Sequence, residues 1–189
     1  MKKLTSTILL LLLVSVEAFG QAKGGGGGSS GGKHFFGTGI MFLNSETKQG
    51  GAGPTGSTLL SQTDFIRMWK KLGYGITFNY DKHGKNQTDS SYGLKLEYHI
   101  DIFYLEFGYL MKATRAYTDR SIAEETGSGM LYGFGARFPI GRGGKGGGSF
   151  FHASYKVKTQ TLKQQDGVDI TEPITQTDGY PLFGFGYNF

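Results

Sequence analysis

The sequence predicts an all-β protein: a transmembrane, antiparallel, up-and-down β-barrel of about eight strands, preceded by a signal peptide and a Gly-rich tether. Three observations predict it. From residue 34 onward the dominant hydrophobic period is two residues rather than 3.6. The apolar face of these segments is rich in Phe and Tyr, and the opposite face carries Gly, small polar and charged residues. That is the pattern of a strand lying between lipid and a lumen. Finally, short turns alternate with longer polar connections, which is the connectivity of a membrane barrel.

Composition narrows the alternatives. A chain of 189 residues suits one domain. The absence of cysteine excludes disulfides, Cys-based metal sites and a lipidated N-terminal cysteine. The net charge of +5 is modest, and the Lys and Arg residues are scattered rather than gathered on one patch, so no nucleic-acid partner is expected. Abundant Gly and aromatics with few helix formers point to strands.

The N-terminal stretch reads as an export signal. Lys2 and Lys3 form a positive n-region, and Leu4 to Val16 an apolar h-region. Gly20-Gln21-Ala22 supplies the better cleavage site and Val16-Glu17-Ala18 the second. The apolar run falls short of the ~20 residues of a spanning helix, and no later segment reaches 18 apolar residues. Residues 23–33 (KGGGGGSSGGK) are a flexible tether. This Gly-rich run lacks the Gly-Lys-Ser/Thr ending of a phosphate-cradling loop, and no strand precedes it. The expected organisation is a signal peptide over 1–22, the tether over 23–33 and the barrel over 34–189.

Six strands follow from strict alternation. Leu72, Tyr74, Ile76, Phe78 and Tyr80 share one face, and Tyr92, Leu94, Leu96, Tyr98 and Ile100 repeat it. Phe103 to Met111, Met130 to Phe138, Phe151 to Val157 and Phe183 to Phe189 follow in turn. His34 to Asn44 alternates poorly, and Phe36, Ile40 and Phe42 are placed outward. In Thr63 to Lys70 an Arg facing mid-bilayer lipid would cost ~2–4 kcal/mol. Ile66 and Met68 are therefore expected outward and Arg67 inward, with room for a bulge. Long connections are expected at Asn44–Gln62, Asp81–Ser90, Thr114–Ser128 and Gln160–Asp178. Short ones are expected at Lys71, Asp101–Ile102 and Pro139–Gly148; the third is longer than a periplasmic turn needs. A soluble sandwich would instead show a Val, Ile and Leu core face.

The chain ends in an aromatic residue with aromatics two and four positions earlier: Phe185, Tyr187 and Phe189. This resembles the C-terminal β-signal read by the barrel assembly machinery. With eight alternating strands, residues 34–189 resemble the small outer-membrane barrels of the OmpA/OmpX type. The resemblance implies a place in the outer membrane, with long loops extracellular and both termini periplasmic. It implies the assembly machinery and outer-membrane lipid, including lipopolysaccharide, as partners. No motif selects a subfamily.

Candidate chemistry sits in the lumen. A two-residue turn at Asp101-Ile102 sets Glu97 opposite Glu106, both inward, and opposed like charges need a partner. Arg137, just before the next turn, and His152, just after it, also point inward. Arg137 offers a bidentate fork to one carboxylate, and His152 or Lys95 can reach the other. The expected result is an ion-pair plug near the periplasmic end. His152 and Ser154 share one face and resemble the His-x-Ser pair of outer-membrane lipid A deacylases. That family points the pair at lipid and carries Asn where Tyr155 stands. A narrow lumen excludes a polysaccharide from Glu97 and Glu106. His34, His83, His99 and His152 show no metal spacing. Lys48, Lys82, Lys85, Arg115, Arg120 and Lys163, placed in loops, are candidates for lipid phosphates.

Three functions stay open at this level. They are a structural or interaction barrel, a narrow channel for small or apolar molecules, and a lipid A-modifying enzyme. The first is the primary reading, with no catalysis and no cofactor.

Overall fold

The computed structural model describes residues 34–45, 56–119, 121–140 and 148–189. The expected signal peptide and tether lie outside the described residues. Eight strands run in chain order: β1 (His34–Ser45), β2 (Gly56–Trp69), β3 (Leu72–His83), β4 (Gln87–Ile100), β5 (Phe103–Tyr117), β6 (Glu124–Ile140), β7 (Gly148–Gln165) and β8 (Val168–Asn188). Each pairs antiparallel with the next, and β1 pairs with β8 to close the ring.

The closed, all-antiparallel barrel matches the expected fold, but the strands reach far beyond the alternating segments. They lengthen from 12 residues in β1 to 21 in β8. The segment Gln160–Asp178, expected as a loop, is instead the tip of the β7–β8 hairpin. Its turn is Asp166-Gly167, with φ of 48° and 82°. Two successive positive φ values define the type I′ turn that Asp-Gly adopts most easily. The other long connections shrink as well. β2 starts at Gly56, β3 and β4 are joined by residues 84–86, and β5 and β6 by residues 118–123. At the opposite end, Lys70-Lys71 and Asp101-Ile102 are two-residue turns, with Lys70 and Asp101 at φ 56°. In the expected Pro139–Gly148 turn, β6 runs on to Ile140, β7 begins at Gly148, and residues between them lie outside the described set.

Burial is inverted relative to a soluble protein. The outer wall is apolar and exposed, with Phe134 at 60%, Phe103 at 60% and Phe185 at 62%. The inner wall buries charge, with Lys95 and Glu97 at 1% and Lys156 at 0%. On β4 the outward set Tyr92 to Ile100 covers eight residue steps. At a rise of ~3.4 Å that is about 27 Å along the strand, or about 21 Å after a ~40° tilt. This approaches the ~25 Å apolar band of an outer-membrane barrel. Above the band the outer face turns polar. Thr159 meets Thr177 and Thr161 meets Thr175 through hydroxyl contacts of 3.0 and 3.4 Å.

The orientation expected for β2 is reversed. Arg67 is exposed on the outer wall, whereas Ile66 is fully buried and Met68 half-buried inside. β2 keeps unbroken register with both neighbours, so no bulge turns it. Arg67 lies two residues from the strand end at Trp69. In a membrane barrel a lipid-facing Arg so near a strand end costs only ~0–1 kcal/mol, far less than one at mid-bilayer. Ile66 instead packs with Phe35 and Phe150, an apolar layer closing the lower lumen. Ile40 is exposed and Phe36 half-exposed, in line with the expected outward face of β1; the side chain of Phe42 lies outside the described set.

Candidate functional site: a charged lumen with an apolar floor

Alternation decides which side chains meet. In an eight-stranded barrel the bore is about as wide as the side chains that fill it. Inward groups on different strands therefore contact across the axis. Glu97 and Glu106 are registered partners on β4 and β5, as their turn predicts. Between them stands Lys95. Its Nζ lies 2.5 Å from Asp64 on β2 and 3.1 Å from Glu97, and it also pairs with Glu106.

The remaining charges complete this cluster. Lys156 on β7 donates to Glu106, with its Nζ 2.6 Å from Oε1. Arg137 on β6 donates through Nη2 to Glu97 at 2.6 Å, and His99 Nε2 lies 2.9 Å from the same carboxylate. Arg137 is monodentate rather than a fork, because its other Nη approaches His99 at 3.1 Å. Three carboxylates (Asp64, Glu97, Glu106) thus face three basic side chains (Lys95, Lys156, Arg137), and the cluster is balanced. Balance matters because an uncompensated buried ion costs several kcal/mol.

Asp64, Glu97 and Glu106 each offer an oxygen within 4.8 Å of the others. That spacing could suit a divalent cation, but the Lys95 ammonium already sits among the three oxygens. The protein's own side chain supplies the positive charge, and the trio does not make a metal site.

His152 does not join this cluster. Its Nε2 contacts the backbone oxygen of Thr38 at 3.2 Å, and it is registered opposite Arg137 on the neighbouring strand. Of the two expected partners of the second carboxylate, Lys95 reaches Glu106 and His152 does not; Lys156, four residues along β7 on the same inner face, pairs with Glu106 as well. Ser154 points inward too, and its Oγ donates to the backbone of Leu182 at 3.5 Å. Both groups of the His-x-Ser pair are therefore buried in the lumen wall and turned toward backbone oxygens.

Beneath the ions lies an aromatic floor. The rings of Phe35 and Phe150 stack at 4.8 Å. The Arg137 guanidinium sits 3.6 Å from the Phe35 ring centroid and 4.5 Å from that of Tyr104. Arg137 thus couples the two layers: its charge serves Glu97 and its flat face covers the aromatics.

A second set of ions lies nearer the opposite mouth. Lys158 pairs with Asp81. Arg115 pairs with Asp89 at 3.2 Å, lies 3.8 Å from Glu125 and reaches Gln176. Arg115 was expected in a loop among the lipid-facing cations, and the structure places it inside. A β-bulge is the reason. Tyr92 pairs with Lys112 and Gly93 with Leu110, leaving Met111 as the extra residue of β5. Met111 and Lys112 both face outward, and every residue beyond changes sides. Of the other cations assigned to loops, Lys82 lies on β3, Lys85 in the β3–β4 turn and Lys163 on β7, while Lys48 and Arg120 fall outside the described residues.

The C-terminal residues close the ring. His34 and Phe189 exchange reciprocal backbone hydrogen bonds of 2.9 and 3.0 Å, and their rings stack at 5.6 Å. Phe185 and Tyr187 face outward on the same strand. Deleting Phe189 removes one pair from the short β1–β8 seam, whereas Lys23–Lys33 brings mostly Gly and Ser. Refolding into lipid vesicles should fall sharply for the first deletion and stay near normal for the second. Equal folded yields would contradict the role given to Phe189.

No protein-family model matches this chain, and no curated protein matches it in sequence.

Proposed function

We propose that this protein is an integral outer-membrane β-barrel of the small OmpA/OmpX-like kind. Its role is structural or interactive at the cell envelope, without catalysis, and its lumen is closed to ions. The observation that carries this reading is the inverted burial: a largely apolar exposed wall around a neutralised, buried ionic interior. Water would not tolerate that wall as the surface of a monomer, since exposed apolar patches rarely exceed a few hundred Å². Lipid tolerates it, and the closed ladder leaves few backbone groups unpaired within the bilayer.

On this reading the turns at Lys70-Lys71 and Asp101-Ile102 and both ends of the barrel segment are periplasmic, and the long β7–β8 hairpin projects outward. The machinery that inserts such barrels acts on the Phe185, Tyr187 and Phe189 strand, and lipopolysaccharide surrounds the upper wall. The filled bore supports a closed barrel over a channel. The inward, backbone-directed His152 and Ser154 weigh against a lipid A-modifying enzyme.

The test is direct. Expressed with its N-terminal segment, the protein should fractionate with outer membranes, lose about its first 22 residues, and run as a heat-modifiable band. In planar bilayers it should show no steady ion conductance. A water-soluble, monomeric product would overturn the membrane assignment, and steady conductance would favour the channel.

A further inference from the structure

The lower rim of the outer wall gathers positive charge at one turn. Arg67 and Trp69 lie at the end of β2, and Lys70-Lys71 joins that strand to β3. All four side chains are exposed, Trp69 to 63%. Lys70 Nζ lies 5.8 Å from the centre of the Trp69 ring, within cation–π range. Lys95, Lys156 and Lys158 in the lumen all pair with carboxylates. Among the described residues, no carboxylate stands within ion-pair distance of Arg67, Lys70 or Lys71.

The backbone adds a second sign. Lys70 sits at φ 56°, in the left-handed region that Gly, Asn and Asp tolerate best. The turn between β4 and β5 fills the same position with Asp101, also at φ 56°. Turn geometry favours a residue of that kind and does not account for a lysine at position 70.

A groove begins beside these cations. Arg67 is registered with Tyr74, Tyr74 with Leu96, and Leu96 with Phe107. Ile76, Leu94 and Tyr109 form the next row, farther from the turn. The two rows line an almost wholly apolar groove of about 450 Å³, within the ~300–1,000 Å³ of small-molecule sites. Leu94 and Leu96 run along β4 between larger rings, Tyr74 on β3 and Phe107 and Tyr109 on β5. The groove starts three residue steps from Lys71, about 10 Å at ~3.4 Å per residue.

We propose that this corner of the wall holds one anionic glycerophospholipid. Its phosphate lies among Arg67, Lys70 and Lys71, and an acyl chain runs along Leu94 and Leu96. Arginine offers a planar fork to phosphate oxygens, and the lysines add point charges. Trp69 sits between the two parts, at the interfacial level where tryptophan is enriched. Three unpaired cations select charge: a zwitterionic lipid brings its own cation and neutralises less of the excess. This deepens the outer-membrane reading and rests on it, since a periplasmic turn meets the inner leaflet.

Trp69 is the single tryptophan of the chain, so its fluorescence reports this corner alone. The barrel is refolded into phosphatidylcholine vesicles that contain a small fraction of lipid brominated near the glycerol. Brominated phosphatidylglycerol should quench Trp69 with at least ~5-fold higher apparent affinity than brominated phosphatidylcholine. The triple variant Arg67→Gln, Lys70→Gln, Lys71→Gln should bring that ratio close to one while the barrel stays heat-modifiable. The double variant Lys82→Gln, Lys112→Gln removes charge elsewhere and should leave the ratio intact. In neutral-detergent micelles, native mass spectrometry should show one retained phosphatidylglycerol. Leu96→Phe, which fills the groove and spares the cations, should cut that retained fraction at least ~3-fold. Equal quenching by the two headgroups, a preference that survives the triple variant, or unchanged retention in Leu96→Phe would overturn the proposal. Loss of the membrane reading has a different signature: Trp69 would be quenched by neither brominated lipid.

Discussion

Lys95→Met is expected to destabilise the barrel by ~3–5 kcal/mol, more than any other single change among the lumen charges. The ammonium serves Asp64, Glu97 and Glu106 together, with Nζ at 2.5 Å from the first and 3.1 Å from the second. Methionine keeps most of the volume and removes the charge, so three carboxylates would share only Lys156 and Arg137. Arg137→Ala should cost less, about 2 kcal/mol, because Glu97 keeps Lys95 and His99 while the loss of cover on Phe35 adds a smaller amount. Glu97→Gln should cost less again, since it also relieves repulsion from Glu106. Urea unfolding of the protein refolded in lipid vesicles measures all three. Adding Glu106→Gln to Lys95→Met should recover part of the loss, because the pair shares one electrostatic environment. If Lys95→Met unfolds at the same urea concentration as the unaltered protein, the balanced cluster is not what holds the lumen together.

The second large effect is expected at Gly93. A Cβ at this position would lie 1.9 Å from the backbone oxygen of Tyr109 and 2.7 Å from the Leu110 Cα. Both belong to the neighbouring strand's main chain, which cannot rotate away as a side chain would. The site adjoins the β5 bulge that turns Arg115 inward. Gly93→Ala should therefore cost ~3 kcal/mol or more, at the upper end for overpacking. Gly108→Ala is the control. There the nearest atom is the Leu131 Cβ at 3.2 Å, and small adjustments relieve the contact; its cost should stay near ~1 kcal/mol. The same unfolding measurement separates them, and equal costs would show that the close backbone approach at Gly93 is not restrictive.

Much of the lower barrel was legible because its information is local. The alternation of Tyr92 to Ile100 and Phe103 to Met111 fixes two strands, and the two-residue turn between them sets Glu97 opposite Glu106 without further input. Three readings failed for identifiable reasons. The cost of Arg in mid-bilayer predicts Ile66 outward and Arg67 inward, but the height of a residue depends on where its strand ends in the barrel. Segments rich in Thr, Gln and charge carry no apolar face, so the sequence pattern alone predicts loops there. Those segments are held as strands by their ladders, and Asp166-Gly167 was the available turn signal. Proximity to the turn points to His152 as a partner, whereas the reach of Lys156 across the axis depends on barrel closure.

The sequence by itself determined the fold class, the inside-out polarity of the wall and the pairing of neighbouring strands across tight turns. Each of these depends on residues a few positions apart, through the two-residue period and the turn geometry. Only the tertiary structure decided that Lys95 joins Asp64 to Glu106, that Arg115 turns inward past a bulge, and that Ile66 packs inward with Phe35 and Phe150. Those facts depend on contacts between strands distant in sequence, and on an inserted residue that shifts parity without altering the local pattern. Closure of the ring settles them, because it alone fixes which side chains share the same height inside a bore one side chain wide.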